Sequence, residues 1–224
     1  MVGNKVTRAK SAVTRAKSAA TRGKSAATRG PAKLNFEIIA VAASAGGLNA
    51  ISLLVAALPA DFPVPVVIVQ HLDPRHRSLI ADILNRRTSL QVKQAREGER
   101  IEPGCVYIAP PDHHLLVNAD RTLSLTHTEL VHFVRPSADL LFESVAAGYK
   151  ERAICVVLSG SGSDGAMGVE AIKKMGGTVV AQDKETAEFF GMPGAAAQTG
   201  CVDFILPLDQ IAPALVTLVV GGIQ

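Results

Sequence analysis

Cysteine is scarce in this chain. Cys105, Cys155 and Cys201 are odd in number, and no Cys-x-x-Cys spacing occurs. That argues against a disulfide framework, and each of the three lies in or beside an apolar run. Buried, reduced thiols in a cytoplasmic protein are the expectation. Long hydrophobic runs are also missing. None approaches the roughly 18 residues that a membrane-spanning helix needs, and the N-terminus lacks the apolar segment of a secretory signal. His113 and His114 are neighbours, but no cysteine or further histidine lies at metal-ligand spacing. Neither a metal nor any other cofactor is expected.

Acidic residues are absent from positions 1–33, which carry nine Lys or Arg. The rest of the chain holds 14 basic and 20 acidic residues, so a basic tail of 1–34 precedes an acidic body of 35–224. The tail is a seven-residue repeat. Val6–Ala12 recurs as Val13–Ala19 and again as Ala20–Ala26, with a fourth copy stopping at Gly30-Pro31. It has no apolar seam for a coiled coil. Like charges repel and the only apolar side chains are small, so disorder is expected, with at most a weak, salt-sensitive contact to an anionic surface. Gly23-Lys24-Ser25 imitates the end of a phosphate-binding loop, but position 18 is Ser18 rather than glycine and no strand precedes it.

Hydrophobic residues make up 48% of the 224 residues, enough for a sizeable core. The most informative stretch is Ile38 to Leu48. An apolar run stops at Ser44, Gly46 and Gly47 follow, and a helical pattern begins at Leu48. This order predicts a strand, a tight turn and a helix. It puts a hydroxyl at the carboxyl end of a strand, beside free N–H groups that can hold an anion.

The same alternation continues along the body. Strands are predicted over Phe36–Ala43, Val64–Gln70, Ala153–Leu158 and Thr178–Gln182, with shorter ones at Gln91–Ala95 and Phe204–Leu206. Helices are predicted over Leu48–Ala57, Arg77–Arg87, Ala166–Met175 and Leu208–Val220, and from Ser137 to about Lys150. Thr186 to Gln198 reads as a helix or a pair of turns. Between Gly104 and His127, Val106–Ile108, His114–Val117 and Thr122–Thr126 suggest an antiparallel hairpin. The expected fold is α/β, a three-layer α/β/α sandwich with a mainly parallel sheet and an antiparallel hairpin.

Ser44, His71 and Asp164 each stand just past a buried strand, so all three can face one crevice at the carboxyl edge of the sheet. Acyl transfer needs such a set: a nucleophile, a base to take its proton, and a carboxylate to fix the base's tautomer. Taken singly, Ser44 could be a helix cap, His71 a structural or surface histidine, and Asp164 a turn residue. Ala42 also stands where the α/β-hydrolase elbow has its first glycine. Two rivals stay open on the residues alone. A nucleotide-binding enzyme could use Ala-Ser-Ala-Gly-Gly and Gly-Ser-Gly-Ser-Asp-Gly as phosphate loops. However, the G-x-G-x-x-G spacing is absent, and Gln70-His71 replaces the acidic residue that would bind a ribose. A binding module without catalysis is the third class.

Six motifs carry a closer resemblance. They are Ile-Ala-Val-Ala-Ala-Ser-Ala-Gly-Gly (39–47), Val-Gln-His-Leu-Asp-Pro (69–74), Gly98 to Asp112, Arg-Pro-Ser-Ala-Asp (135–139), Leu-Ser-Gly-Ser-Gly-Ser-Asp-Gly (158–165) and Phe-Gly-Met-Pro (190–193). In this order they resemble the catalytic domain of the protein-glutamate methylesterases of bacterial chemotaxis, from about Phe36 to Val220. The resemblance implies hydrolysis of glutamate γ-methyl esters on the cytoplasmic helices of chemoreceptors, often with deamidation of receptor glutamines. It implies a triad of Ser44, His71 and Asp164, an oxyanion hole from the backbone of Ala45 and Ser161, and either a receptor contact or an internal ion pair for Arg135. Departures are clear: Ala45 stands where the family usually has Thr, Ser161 where it has Met, and Ser163 where it has Asn. About 35 residues precede the first strand, so the family's receiver domain is expected to be missing, and any regulator to act in trans.

Overall fold

The computed structural model describes residues 35–71 and 78–221. The repeat tail of 1–34 and the motif residues 72–74 lie outside the described residues.

Three strands form the middle of the body: β1 (Ile38–Ala43), β2 (Val66–Gln70) and β7 (Ala153–Val157), and every residue in them is buried. Their composition explains this. Runs of Ile, Val and Ala without alternating polar residues suit a parallel sheet covered on both faces. Four more parallel strands complete it: β3 (Gln91–Gln94), β4 (Cys105–Ile108), β8 (Thr178–Gln182) and β9 (Phe204–Leu206). The order is β3-β4-β2-β1-β7-β8-β9. The hairpin of β5 (His114–Val117) and β6 (Leu123–Thr126) is antiparallel, as its turn residues predict, but it stands apart as a two-stranded ribbon.

Side chains along β1 alternate between two cores. Ile38, Ala40 and Ala42 join α3 (Ala138–Tyr149), α4 (Ala166–Lys174), α5 (Gly191–Gln198) and the hairpin. Ile39, Val41 and Ala43 join α1 (Gly47–Ala56), α2 (Ile80–Asn85) and α6 (Leu208–Val220). The body is therefore a three-layer α/β/α sandwich. Each wholly buried Ile or Val adds about 1.5–3 kcal/mol relative to leaving it exposed.

Two elements depart from the sequence pattern. The apolar stripe Leu79, Ile80, Ile83, Leu84 predicts a helix over Arg77–Arg87, but the helix spans only Ile80–Asn85. Leu79 and Ile83 are exposed, so only half of the stripe reaches the core. Between Thr186 and Gln198 the helix waits until Gly191, which places Pro193 in its first turn, where a missing N–H costs nothing.

Chain topology fixes where a site can form. From β1 the chain moves to β2 on one side, and from β7 to β8 on the other. The carboxyl ends of β1 and β7 therefore flank a switch point, the usual ligand crevice of an open α/β sheet.

Candidate active site

Ser44 follows β1 at this crevice, and backbone bonds hold its turn. Its N–H donates to Ser159 O (3.0 Å), while its carbonyl accepts from Gly47 N (2.9 Å). Gly46 has φ 70°, in the left-handed region that favours glycine. Gly160, across the crevice, is equally constrained. A Cβ there would sit 3.0 Å from Ser44 Cβ and collide with Met192.

His71 closes β2, its N–H donating to Ala43 O (3.0 Å). Its Nε2 lies 2.8 Å from Asp164 Oδ2. An ionised carboxylate only accepts, so Nε2 carries the hydrogen and Nδ1 is left as the basic nitrogen. The Ser44 hydroxyl makes no hydrogen bond to His71 among the described residues. A bond of that kind often tightens only around substrate.

Asp164 is nearly inaccessible, with 5% of its side chain exposed. Its carboxylate sits on the N-terminus of α3. Oδ1 accepts from Ser137 Oγ (2.9 Å) and Asp139 N (3.2 Å), and Oδ2 from Ala138 N (2.6 Å) as well as His71. Burial by itself raises the Asp164 pKa. The bonds from His71, Ala138 and Asp139 outweigh it and hold the carboxyl below the usual range. The helix dipole acts in the same direction. Asp164 is thus ionised and fixed, as a residue must be to orient an imidazole and stabilise its cation.

Ala45 follows Ser44 in the turn after β1, and Ser161 lies in the loop after β7. Neither backbone N–H donates to a described residue. Arg135 is engaged within the molecule. Its Nε and Nη2 donate to Asp112 Oδ1 (2.9 and 2.6 Å), and Nη1 to Thr128 O (2.6 Å). His114 is wholly buried and structural. It accepts from Ser137 N through Nδ1 (3.1 Å) and donates to Glu129 O through Nε2 (3.0 Å).

Two residues at the site escape a reading of the sequence. In the sequence Gln70 reads only as a residue that a ribose site would not have. In the fold its Nε2 donates to both Ser44 O (2.7 Å) and His71 O (3.0 Å), tying the serine turn to the histidine strand end. Its Oε1 is buried without a partner among the described residues. Asp139 is a second buried carboxyl next to Asp164. Burial, and then the Asp164 charge, push its pKa up to about 6, against the opposing bond from Gly168 N (2.7 Å). No spacing rule signals either role, because both depend on which strand ends become neighbours. An open groove of about 390 Å³ runs from Ser44 and Gln70 along Asn49, Ser52 and Arg87.

A parallel sheet whose switch point gathers a serine turn and an imidazole bonded to a buried carboxylate has the architecture of the α/β hydrolytic enzymes. The comparisons narrow the class to a family. Residues 39–215 match the family model described as CheB methylesterase. A protein of Leptospira interrogans serovar copenhageni is 42% identical over 185 residues, covering 83% of this chain and 96% of its own length. It provisionally carries the name protein-glutamate methylesterase/protein-glutamine glutaminase. Proteins of that name from Maricaulis maris and Thermotoga maritima are 41% and 38% identical. This chain spans about half of their length, 47% and 54%. The crystal structure of the Thermotoga maritima CheB methylesterase catalytic domain superposes with a TM-score of 0.80 at 38% identity. That match covers 82% of this chain and 99% of that one. The chain belongs to the CheB methylesterase family.

Proposed function

We propose that this protein hydrolyses γ-methyl esters of glutamate on the cytoplasmic helices of chemoreceptors, and deamidates receptor glutamines, with Ser44 as nucleophile. His71 Nδ1 takes the Ser44 proton as Oγ attacks the ester carbonyl. Asp164 holds the Nε2–H and stabilises the imidazolium. The N–H groups of Ala45 and Ser161 receive the oxyanion. His71 returns its proton to the departing methoxide, methanol leaves, and water activated by His71 cleaves the acyl-enzyme. With glutamine, the leaving group is ammonia.

The observation that carries this reading is the His71–Asp164 bond at the sheet edge where the Ser44 turn lies. Backbone donors explain why Ala45 and Ser161 can replace the family's usual residues: a main-chain N–H does not depend on the side chain. Arg135 serves the site by bracing the segment before α3 rather than by touching the receptor. No described helix is long and apolar enough to cross a membrane. Action in the cytoplasm, a body of 35–224 as the catalytic domain, weak contact of the basic tail with an anionic surface, and control in trans by a separate regulator complete the proposal. The test is methanol release from a methylated receptor fragment, which must depend on Ser44.

A further inference from the structure

The proposed oxyanion donors, the N–H groups of Ala45 and Ser161, each follow a carbonyl that is gripped from the other side. In a trans peptide the N–H points away from the carbonyl of the preceding residue, so bonds that fix the carbonyl also fix the N–H. Ser44 O accepts from Gly47 N (2.9 Å) and from Gln70 Nε2 (2.7 Å), which sets the direction of the Ala45 N–H. Gly160 O accepts from Met192 N (2.8 Å), which does the same for Ser161. The stretch 189–192 lies close along that second loop. Gly160 N donates to Phe189 O (2.9 Å), and a Cβ on Gly191 would stand 2.8 Å from Gly162 N and 2.9 Å from Gly160 O.

One hydroxyl joins the two arrangements. Ser159, two residues past β7 and buried, donates from Oγ to Ala45 O (2.8 Å), and the same Oγ accepts from Phe189 N (3.0 Å). It is thus bonded on one side to the residue that carries the first donor. On the other side it is bonded to the segment that grips the second. Its own backbone is pinned as well. The Ser159 N–H donates to Gln182 Oε1 (2.8 Å), and its carbonyl accepts from Ser44 N (3.0 Å). The junction needs a hydroxyl, because a single atom has to donate and accept at once. With both bonds made, the peptide on each side of Ala45 is held, one through Ser44 O and the other through Ala45 O.

We infer that Ser159 is the positioning residue of the oxyanion hole: its hydroxyl locks the turn of Ala45 to the segment that holds Ser161, so that both N–H groups meet the same oxygen. The inference rests on the esterase reading for the chemistry. Such donors must be held to within about 0.5 Å. The test compares the wild type with Ser159→Ala, with Ser159→Cys, which keeps the size but bonds weakly, and with Ser159→Thr, which keeps the hydroxyl. Cysteine carries the comparison if the alanine variant does not fold. Three quantities are measured below the melting temperature of each protein. They are kcat and KM for methanol release from a methylated receptor fragment, the same constants for p-nitrophenyl acetate, and inhibition by propylboronic acid. Addition of Ser44 Oγ to its boron forms a tetrahedral anion that needs the same donors.

Loss of one oxyanion donor costs about 10²–10³ in kcat, so misplacing the pair should cost about tenfold or more. Ser159→Ala and Ser159→Cys should lower kcat by that factor on both esters, with each KM changed less than about twofold, and should weaken the boronic acid in proportion. Ser159→Thr should stay within about threefold of the wild type in all three. A purely structural hydroxyl would leave kcat and boronate affinity of the folded alanine or cysteine variant at wild-type values, and that result overturns the inference. So does a folded threonine variant as slow as the alanine one. A wild-type protein that hydrolyses neither ester would defeat the esterase reading instead. Crystal structures of wild type and variant then decide the positioning: Ala45 N or Ser161 N displaced by about 0.5 Å or more from its place beside Ser44 supports it, and superposition of both refutes it.

Discussion

Gln70→Met separates the positioning of the active site from the stability of the fold. Gln70 is almost wholly buried, and the bonds from Nε2 to Ser44 O and His71 O are its side chain's only hydrogen bonds among the described residues. A neutral hydrogen bond adds about 0.5–1.5 kcal/mol net, so losing both costs about 1–3 kcal/mol. The same substitution removes Oε1, a buried acceptor without a partner among the described residues, whose desolvation penalty is also about 1–3 kcal/mol. Methionine keeps the volume and adds no buried acceptor of that kind. The two effects nearly cancel, and the melting temperature should move by no more than about 3 °C. Catalysis has no such compensation. The carboxamide joins the two strand ends that carry nucleophile and base, and a displacement of about 1 Å there costs about a hundredfold in rate. The assay is kcat and KM for methanol release beside a thermal melt. The expected pattern is kcat lowered about tenfold or more with KM and melting temperature little changed. Unchanged kcat in the folded variant would refute the positioning role. A large fall in melting temperature with unchanged kcat would make Gln70 purely structural.

Asp139→Asn should stabilise the protein at neutral pH. An acid whose folded pKa is raised binds more protons folded than unfolded, so stability falls as pH climbs from about 4 through about 6 and is then flat. Asparagine keeps an acceptor for Gly168 N and removes that loss. A gain of about 2 kcal/mol at pH 7.5, vanishing near pH 4, is expected in urea melts; equal destabilisation at both pH values would contradict it. Deleting residues 1–33 should leave the melting temperature unchanged and weaken binding to anionic vesicles most at low salt. A substantial fall in melting temperature would show that the tail packs on the body.

Much of this site was legible in the sequence because its parts are local. Each of Ser44, His71 and Asp164 ends or follows a strand whose apolar run is unmistakable, and parallel strands put their carboxyl ends on one edge. Ser137 announced the start of α3 for a similar reason, since a hydroxyl before a helical stripe is a cap. What stayed hidden is relational. The hairpin's turns are visible in the sequence, but whether it joins the large sheet depends on which edge is free. Leu79 and Ile83 keep helical spacing although their side faces outward. Gln70 and Asp139 acquire meaning only when β1 lies beside β2 and α3 points at the loop after β7. Positive φ at His132 and Phe133 leaves no mark on residues that are poor choices for such a turn.

The central claim is that Ser44 is the nucleophile of an esterase. Ser44→Ala removes one hydroxyl at a turn whose backbone bonds do not involve it, so the fold should survive. Release of methanol from a methylated receptor fragment, measured on wild type and on a variant whose melting temperature matches it, should fall almost to nothing. A residue about a thousandfold above the uncatalysed rate can remain from oxyanion stabilisation and binding, and His71→Ala should match it because the groups act as a unit. Undiminished methanol release by the folded Ser44→Ala protein would contradict the account.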